Sequence, residues 1–234
     1  VLKDVVTKDF KKSAAYGVHI FTALGAGLGL WALILTFNGS FQKALWVLAL
    51  STVIDSVDGT LARKLNIEVL AHKIDGVLLD NIVDYLTWTI APLFWGYMTV
   101  GIPIWVVLVC AVASVLGFSN TQAKTEDHFF KGFPSYWNFV VLYLYLLNIS
   151  VLFSSIILLV FAAATFIPIK YIYPSRTVFL RPLTLVLGAV FTVQIILLLI
   201  QFNQAPDILL YSSLVFPVYY FLLSFYLNLR NIED

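Results

Sequence analysis

Five aspartates fall between residues 55 and 84: Asp55, Asp58, Asp75, Asp80 and Asp84. They stand in a chain that is 61% hydrophobic and only 12% charged, so their number is the first thing to explain. Asp55 and Asp58 are three residues apart, which on a helix separates them by about 60° and points both the same way. Asp80 and Asp84 are four apart and share a face in the same manner. Four carboxylates at short range repel one another, and a charge within a membrane segment is costly unless it is paired, hydrated or bound to a cation. No lysine or arginine lies among them inside the apolar segments, so a divalent cation, or a pair of them, is the economical partner. Oxygen donors without a Cys or His cluster point to Mg²⁺ or Mn²⁺. Asp75 lies in the loop, where capping a helix or facing water explains it.

The neighbouring residues suit a phosphate chemistry. Gly59 and Ala62 are small enough to let a ligand approach the backbone, and Arg63 stands with Lys64 at the membrane edge. A metal pair with an arginine neutralises a pyrophosphate and stabilises an in-line displacement. The rival reading from another class is an ion-coupled transporter, because intramembrane carboxylates also mark ion paths. The clustering of the aspartates at one membrane face, and the lack of a second polar cluster further along, disfavour it.

These residues must be held by membrane helices. The mean hydropathy is +0.93, and apolar runs near 20 residues recur along the chain, each able to cross a hydrocarbon core of about 30 Å. An all-α integral membrane protein is expected, with about eight transmembrane helices in one bundle, near 14–37, 42–63, 76–99, 101–118, 134–147, 150–168, 183–201 and 207–228. Thirteen of the fourteen basic residues then fall on one side, Lys43 being the exception. The positive-inside rule puts that side, with both termini and the loop after Arg63, in the cytoplasm. Residues 1–13 place Leu2, Val5, Val6 and Phe10 at helical spacing among four lysines, which suits a short amphipathic helix on an anionic surface. The expected organisation is therefore a juxtamembrane segment, 1–13, and a single catalytic membrane domain, 14–234.

The segments DSVDGTLAR (55–63) and GVLLDNIVD (76–84) together resemble the signature of the CDP-alcohol phosphotransferase family, D-x2-D-G-x2-A-R-x8-G-x3-D-x3-D. Asp55, Asp58, Gly59, Ala62, Arg63, Gly76, Asp80 and Asp84 each match. The departure is the gap from Arg63 to Gly76, twelve residues where the pattern has eight. A finer resemblance is to the bacterial branch of that family that makes phosphatidylcholine, which has the widened gap and segments similar to VHIFTALGA (18–26) and FKGFPSYWN (130–138).

The resemblance implies a phosphatidyl transfer from CDP-diacylglycerol to choline, giving phosphatidylcholine and CMP, at the cytoplasmic face of a bacterial inner membrane. Serine, glycerol or inositol is the alternative acceptor. It further implies that Asp55, Asp58, Asp80 and Asp84 hold Mn²⁺ or Mg²⁺, as two ions, and that Asp84 is the base. Gly59, Ala62, Arg63 and Gly76 match nucleotide and phosphate contacts. Thr22 matches an Asn-x-x-Thr element near the cytidine, with His19 in the Asn place, and Lys131 lies in the second matched segment. A quaternary ammonium is bound by aromatic faces, for which Tyr85, Trp88, Tyr136 and Trp137 are the candidates. Trp and Tyr also gather at membrane interfaces without any ligand. No nucleic-acid partner is expected, and a homodimer is left open.

Overall fold

The computed structural model describes residues 2–65, 67–125, 127 and 129–230, without the side chains of residues 2–11 and 68. Contacts within the chain divide it into two units, Val1–Met98 and Thr99–Asp234.

The first unit opens with α1 (Leu2–Phe37) and α2 (Phe41–Leu65), which pack side by side. Residues 2–13 are helical, continuous with α1 and not a separate short helix; the side chains of the expected amphipathic face lie outside the described residues. A one-turn helix, α3 (Ile67–Leu70), follows in the loop. It joins Ala71 and the α1 residues Ala15 and Val18 in an apolar cluster, on which Leu61 and Ala62 also rest. Next comes a helical rod in three parts: α4 (Gly76–Asp84), a π-helical stretch (Tyr85–Ile90) and α5 (Ala91–Val100). Asp75 caps α4, its side chain accepting from the Leu78 amide at 2.9 Å, as a loop aspartate at a helix start should. The π turn is visible in the hydrogen bond from the Ala91 N–H to the Leu86 carbonyl, five residues back. Pro92 explains it: a proline has no N–H for the carbonyl four residues earlier and its ring clashes with it, so the preceding turn widens.

α1 packs against this rod through glycines. A Cβ on Gly25 would stand 2.6 Å from Val83 Cγ1, and one on Gly29 would stand 2.7 Å from Leu86 Cγ. Only glycine lets the two backbones come this close. At the other end of α2, Trp95 is fully buried and donates its indole N–H to the Phe41 carbonyl at 3.0 Å.

The second unit contains α6 (Ile104–Phe118), α7 (Trp137–Leu146), α8 (Val151–Ala164), α9 (Arg181–Gln201), a 3₁₀ turn (Phe202–Gln204), α10 (Asp207–Ser213) and α11 (Val215–Arg230). It also holds a two-stranded antiparallel ribbon that the sequence reading did not anticipate. Strand β1 (Phe129–Lys131) pairs with β2 (Lys170–Ile172), with Lys131 opposite Lys170. Three residues per strand are too few for an alternation signal, and the partners are 39 to 43 residues apart. Side chains of α11 satisfy the outer edge of β2. Asn228 donates to the Lys170 carbonyl at 2.6 Å and accepts its amide at 3.0 Å, while Ser224 accepts the Ile172 amide at 3.1 Å. The Lys170 ammonium pairs with Asp127. Burial pushes the Asp127 carboxyl up, but the hydrogen bonds from Lys170 and Thr125 and the Lys170 charge outweigh it and hold it below the usual carboxylate range.

The expected helix ends shift where proline and left-handed backbone intervene. α7 begins at Trp137, after Pro134 and after Ser135 at φ +57°. α6 begins after Pro103. The last expected helix is broken at Leu214 into α10 and α11, because Pro217 cannot bond the Ser213 carbonyl. Eight helical rods are thus present among the described residues, as expected. Four are long and apolar enough to cross a membrane: Lys12–Phe37, Phe41–Leu65, Arg181–Gln204 and Asp207–Arg230. α6, α7 and α8 are apolar but shorter, at 15, 10 and 14 residues. Fifteen residues make a helix of about 22 Å, less than the hydrocarbon thickness.

Candidate metal centre

Two helices carry the carboxylates; the 4-residue spacing puts Asp80 and Asp84 in one group, while the 3-residue spacing does not bring Asp58 into it beside Asp55. Asp55 comes from α2, while Asp80 and Asp84 come from α4. Each of the three offers an oxygen within 4.8 Å of the others, and all three are half-buried. Three carboxylate oxygens gathered so closely, with no Cys or His in the set, could hold a hard divalent cation of the Mg²⁺ or Mn²⁺ kind. The donors fit such an ion; they do not distinguish one metal from the other.

Asp58 is placed differently. It is 6% exposed and its Oδ2 accepts a hydrogen bond from the Thr22 hydroxyl of α1 at 2.7 Å. It is not in the group formed by the other three. Thr22, expected beside a nucleotide, here touches an aspartate of the motif.

His19 lies one turn earlier on the same face of α1, 4% exposed. Its ring covers Gly76: a Cβ there would stand 3.2 Å from His19 Cε1. A side chain at Gly76 would press on the imidazole, so the glycine at the start of α4 gives the ring room. His19 Nε2 is buried with no hydrogen-bond partner among the described residues, so this nitrogen has capacity left for a ligand. Arg63 is exposed, donates to Thr60 at 3.2 Å and lies alongside Gly59, whose absent Cβ would stand 3.4 Å from Nη1. Ala62 turns the other way and packs on the apolar cluster around Ile67.

Tyr85 and Trp88 follow Asp84 directly, within the π turn, and both are half-buried. The other three expected contacts belong to the second unit. Lys131 is exposed on β1. Trp137 is fully buried and donates its indole N–H to Ser114 Oγ at 2.7 Å, beside Ser135, which donates to the same oxygen at 3.1 Å. Tyr136 stands edge-on to Tyr220, with ring centroids 5.9 Å apart. A carbonyl lies behind the glycine of the FKGFPS segment, since a Cβ on Gly132 would run into the Thr165 oxygen.

The sequence reading missed two features of the site. One is the π turn, for which Pro92 was the available signal. The other is the pairing of Thr22 with Asp58, which no spacing within the chain reveals.

Comparison with known proteins bears on the same residues. The chain is 38% identical over 224 residues to a phosphatidylcholine synthase of Legionella pneumophila, covering 91% of this chain and 88% of that protein. It is 38% identical to one from Borreliella burgdorferi, covering 80% and 84%, and 31% identical to one from Rhizobium meliloti, covering 92% and 91%. The family model for CDP-alcohol phosphatidyltransferases matches residues 18–172, a span that takes in His19, Thr22, all four motif aspartates and the FKGFPS segment. With most of its length and its whole carboxylate cluster inside that match, the chain belongs to the CDP-alcohol phosphatidyltransferase family, whose members are integral membrane enzymes.

Proposed function

We propose that this chain is a phosphatidylcholine synthase, transferring the phosphatidyl group of CDP-diacylglycerol to choline with release of CMP. The observation that carries the reading is the three-carboxylate centre of Asp55, Asp80 and Asp84 in a chain whose relatives share that name over most of its length.

The reaction is a displacement at the phosphorus that bears the diacylglycerol. The choline hydroxyl oxygen forms the new P–O bond, the bond from that phosphorus to the CMP phosphate oxygen breaks, and the hydroxyl proton passes to a base. Asp84 is assigned as that base, being the last carboxylate of the motif and next to the aromatic pair Tyr85 and Trp88. Asp55, Asp80 and Asp84, with Asp58, are assigned to the cation, as two ions in the full site. A divalent ion held there supplies charge neutralisation at the pyrophosphate. Arg63, beside Gly59 on α2, extends that neutralisation along the phosphates. His19 Nε2 is the group with hydrogen-bonding capacity for the nucleotide, with Gly76 giving its ring the space. Tyr85 and Trp88 are assigned to the choline ammonium; Trp137 is fully buried with its indole N–H held by Ser114. Residues 14–234 are read as one catalytic domain, with the site at the cytoplasmic face of a bacterial inner membrane.

The test is turnover by purified protein with CDP-diacylglycerol and a panel of labelled alcohols. Choline should be the preferred acceptor, chelation should abolish the reaction, and Mn²⁺ or Mg²⁺ should restore it. Preference for serine, glycerol or inositol would overturn the acceptor, and full turnover after chelation would overturn the metal centre.

A further inference from the structure

Asp58 is the buried one of the four motif aspartates, at 6% exposure, and a side chain from outside the motif holds it. The donor is Thr22 Oγ1, itself 8% exposed, at 2.7 Å. A buried carboxylate without donors is strongly unfavourable. The contact also cannot slide easily. α1 is seated against the rod at Gly25 and Gly29, three and seven residues further along the same face, and His19, one turn earlier, is seated on Gly76. Thr22 therefore sits at a point where α1 is located from both ends. A threonine χ1 is itself stiff, which narrows the positions its hydroxyl can take. A neutral hydroxyl suits this task better than a cation would. It fixes one oxygen of the carboxylate while leaving the negative charge and the remaining lone pairs.

We infer that Thr22 is a positioning residue for Asp58: it orients the carboxylate as a cation ligand and acts on the metal through Asp58. The inference rests on the metal-dependent reading above. It moves Thr22 from the nucleotide to the support of the metal centre. Residues that orient metal ligands typically change metal affinity by about 10- to 100-fold when removed.

The experiment reads metal binding directly, without turnover. Free aqueous Mn²⁺ is followed by electron paramagnetic resonance during titration of the purified, detergent-solubilised full chain. Thr22→Val keeps the shape and removes the hydroxyl; it should weaken Mn²⁺ binding by about 10- to 100-fold. Thr22→Ser keeps the hydroxyl and should bind as the wild type does. Asp58→Asn should also bind weakly, and Thr22→Val combined with Asp58→Asn should be no worse than Asp58→Asn alone, because the two changes break one interaction. The double variant also removes the buried charge that would destabilise Thr22→Val, so it remains measurable if the single variant folds poorly. Wild-type affinity in Thr22→Val, with affinity lost in Asp80→Asn, would overturn the inference and leave the metal centre standing. A further loss in the double variant would overturn it too, showing that Thr22 acts independently of Asp58. No Mn²⁺ binding by the wild type would sink the metal-dependent reading itself.

Discussion

The five aspartates between residues 55 and 84 have the same chemistry and three different settings. Asp75 caps a helix, Asp58 is buried against Thr22, and Asp55, Asp80 and Asp84 face one another. Local environment divides their work. A base within reach of the acceptor hydroxyl contributes about 10²- to 10⁴-fold to such a transfer. Asp84→Asn keeps the size of the side chain and removes the base. The maximal rate should fall by that order while CDP-diacylglycerol still binds, as read by steady-state kinetics beside direct nucleotide binding. An undiminished rate would place the base elsewhere. The spacing of these aspartates was readable along the sequence, because period 3.6 alone puts Asp55 beside Asp58 and Asp80 beside Asp84. Their separation into a cluster of three and a buried fourth was not, because it depends on a threonine 36 residues away from Asp58.

At the scale of the element, the ribbon of β1 and β2 is closed by α11 and by the Lys170–Asp127 pair. The Asp127 carboxyl is held below its ordinary value in the folded chain, so it contributes stability that is present above its unfolded pKa of about 3.9 and is lost as pH falls through the folded value. The pair is partly exposed, so the contribution is small. Asp127→Asn should lower the thermal midpoint slightly at neutral pH, and the difference from the wild type should close as the pH falls below about 4. A difference independent of pH would show that the charge is not what acts. The rod Gly76–Val100 carries the other lesson at this scale. Its apolar run read as one helix, but Pro92 widens the turn after Asp84 into a π segment. The direction of Tyr85 and Trp88 therefore does not follow from 100° per residue.

For the whole molecule, the distribution of basic residues is the strongest constraint, since one-sided lysines and arginines are what orient a multi-pass protein. With Cys110 replaced by alanine, a cysteine placed at the exposed loop residue His72 should resist an impermeant thiol reagent in intact cells and react after lysis. Labelling in intact cells would reverse the orientation. Cys110 is fully buried, with its thiol directed to the Leu158 carbonyl at 3.7 Å, so its removal clears the background; alanine there leaves a small void without an unpaired polar group.

Composition and period were enough for the membrane class, the eight helical rods among the described residues and the shared face of Asp80 and Asp84, because hydrophobic length and helical repeat are properties of consecutive residues. The signature segments were enough for the family, since each of their positions can be checked in order. Tertiary structure decided what consecutive residues do not encode. It set Gly25 and Gly29 against Val83 and Leu86, so that α1 reaches the motif helices. It paired Phe129–Lys131 with Lys170–Ile172 and seated the His19 ring on Gly76. It also brought Thr22 to Asp58. Each of these is a contact between segments far apart in the chain, fixed by how closely two backbones approach and by the need of a buried polar group for a partner.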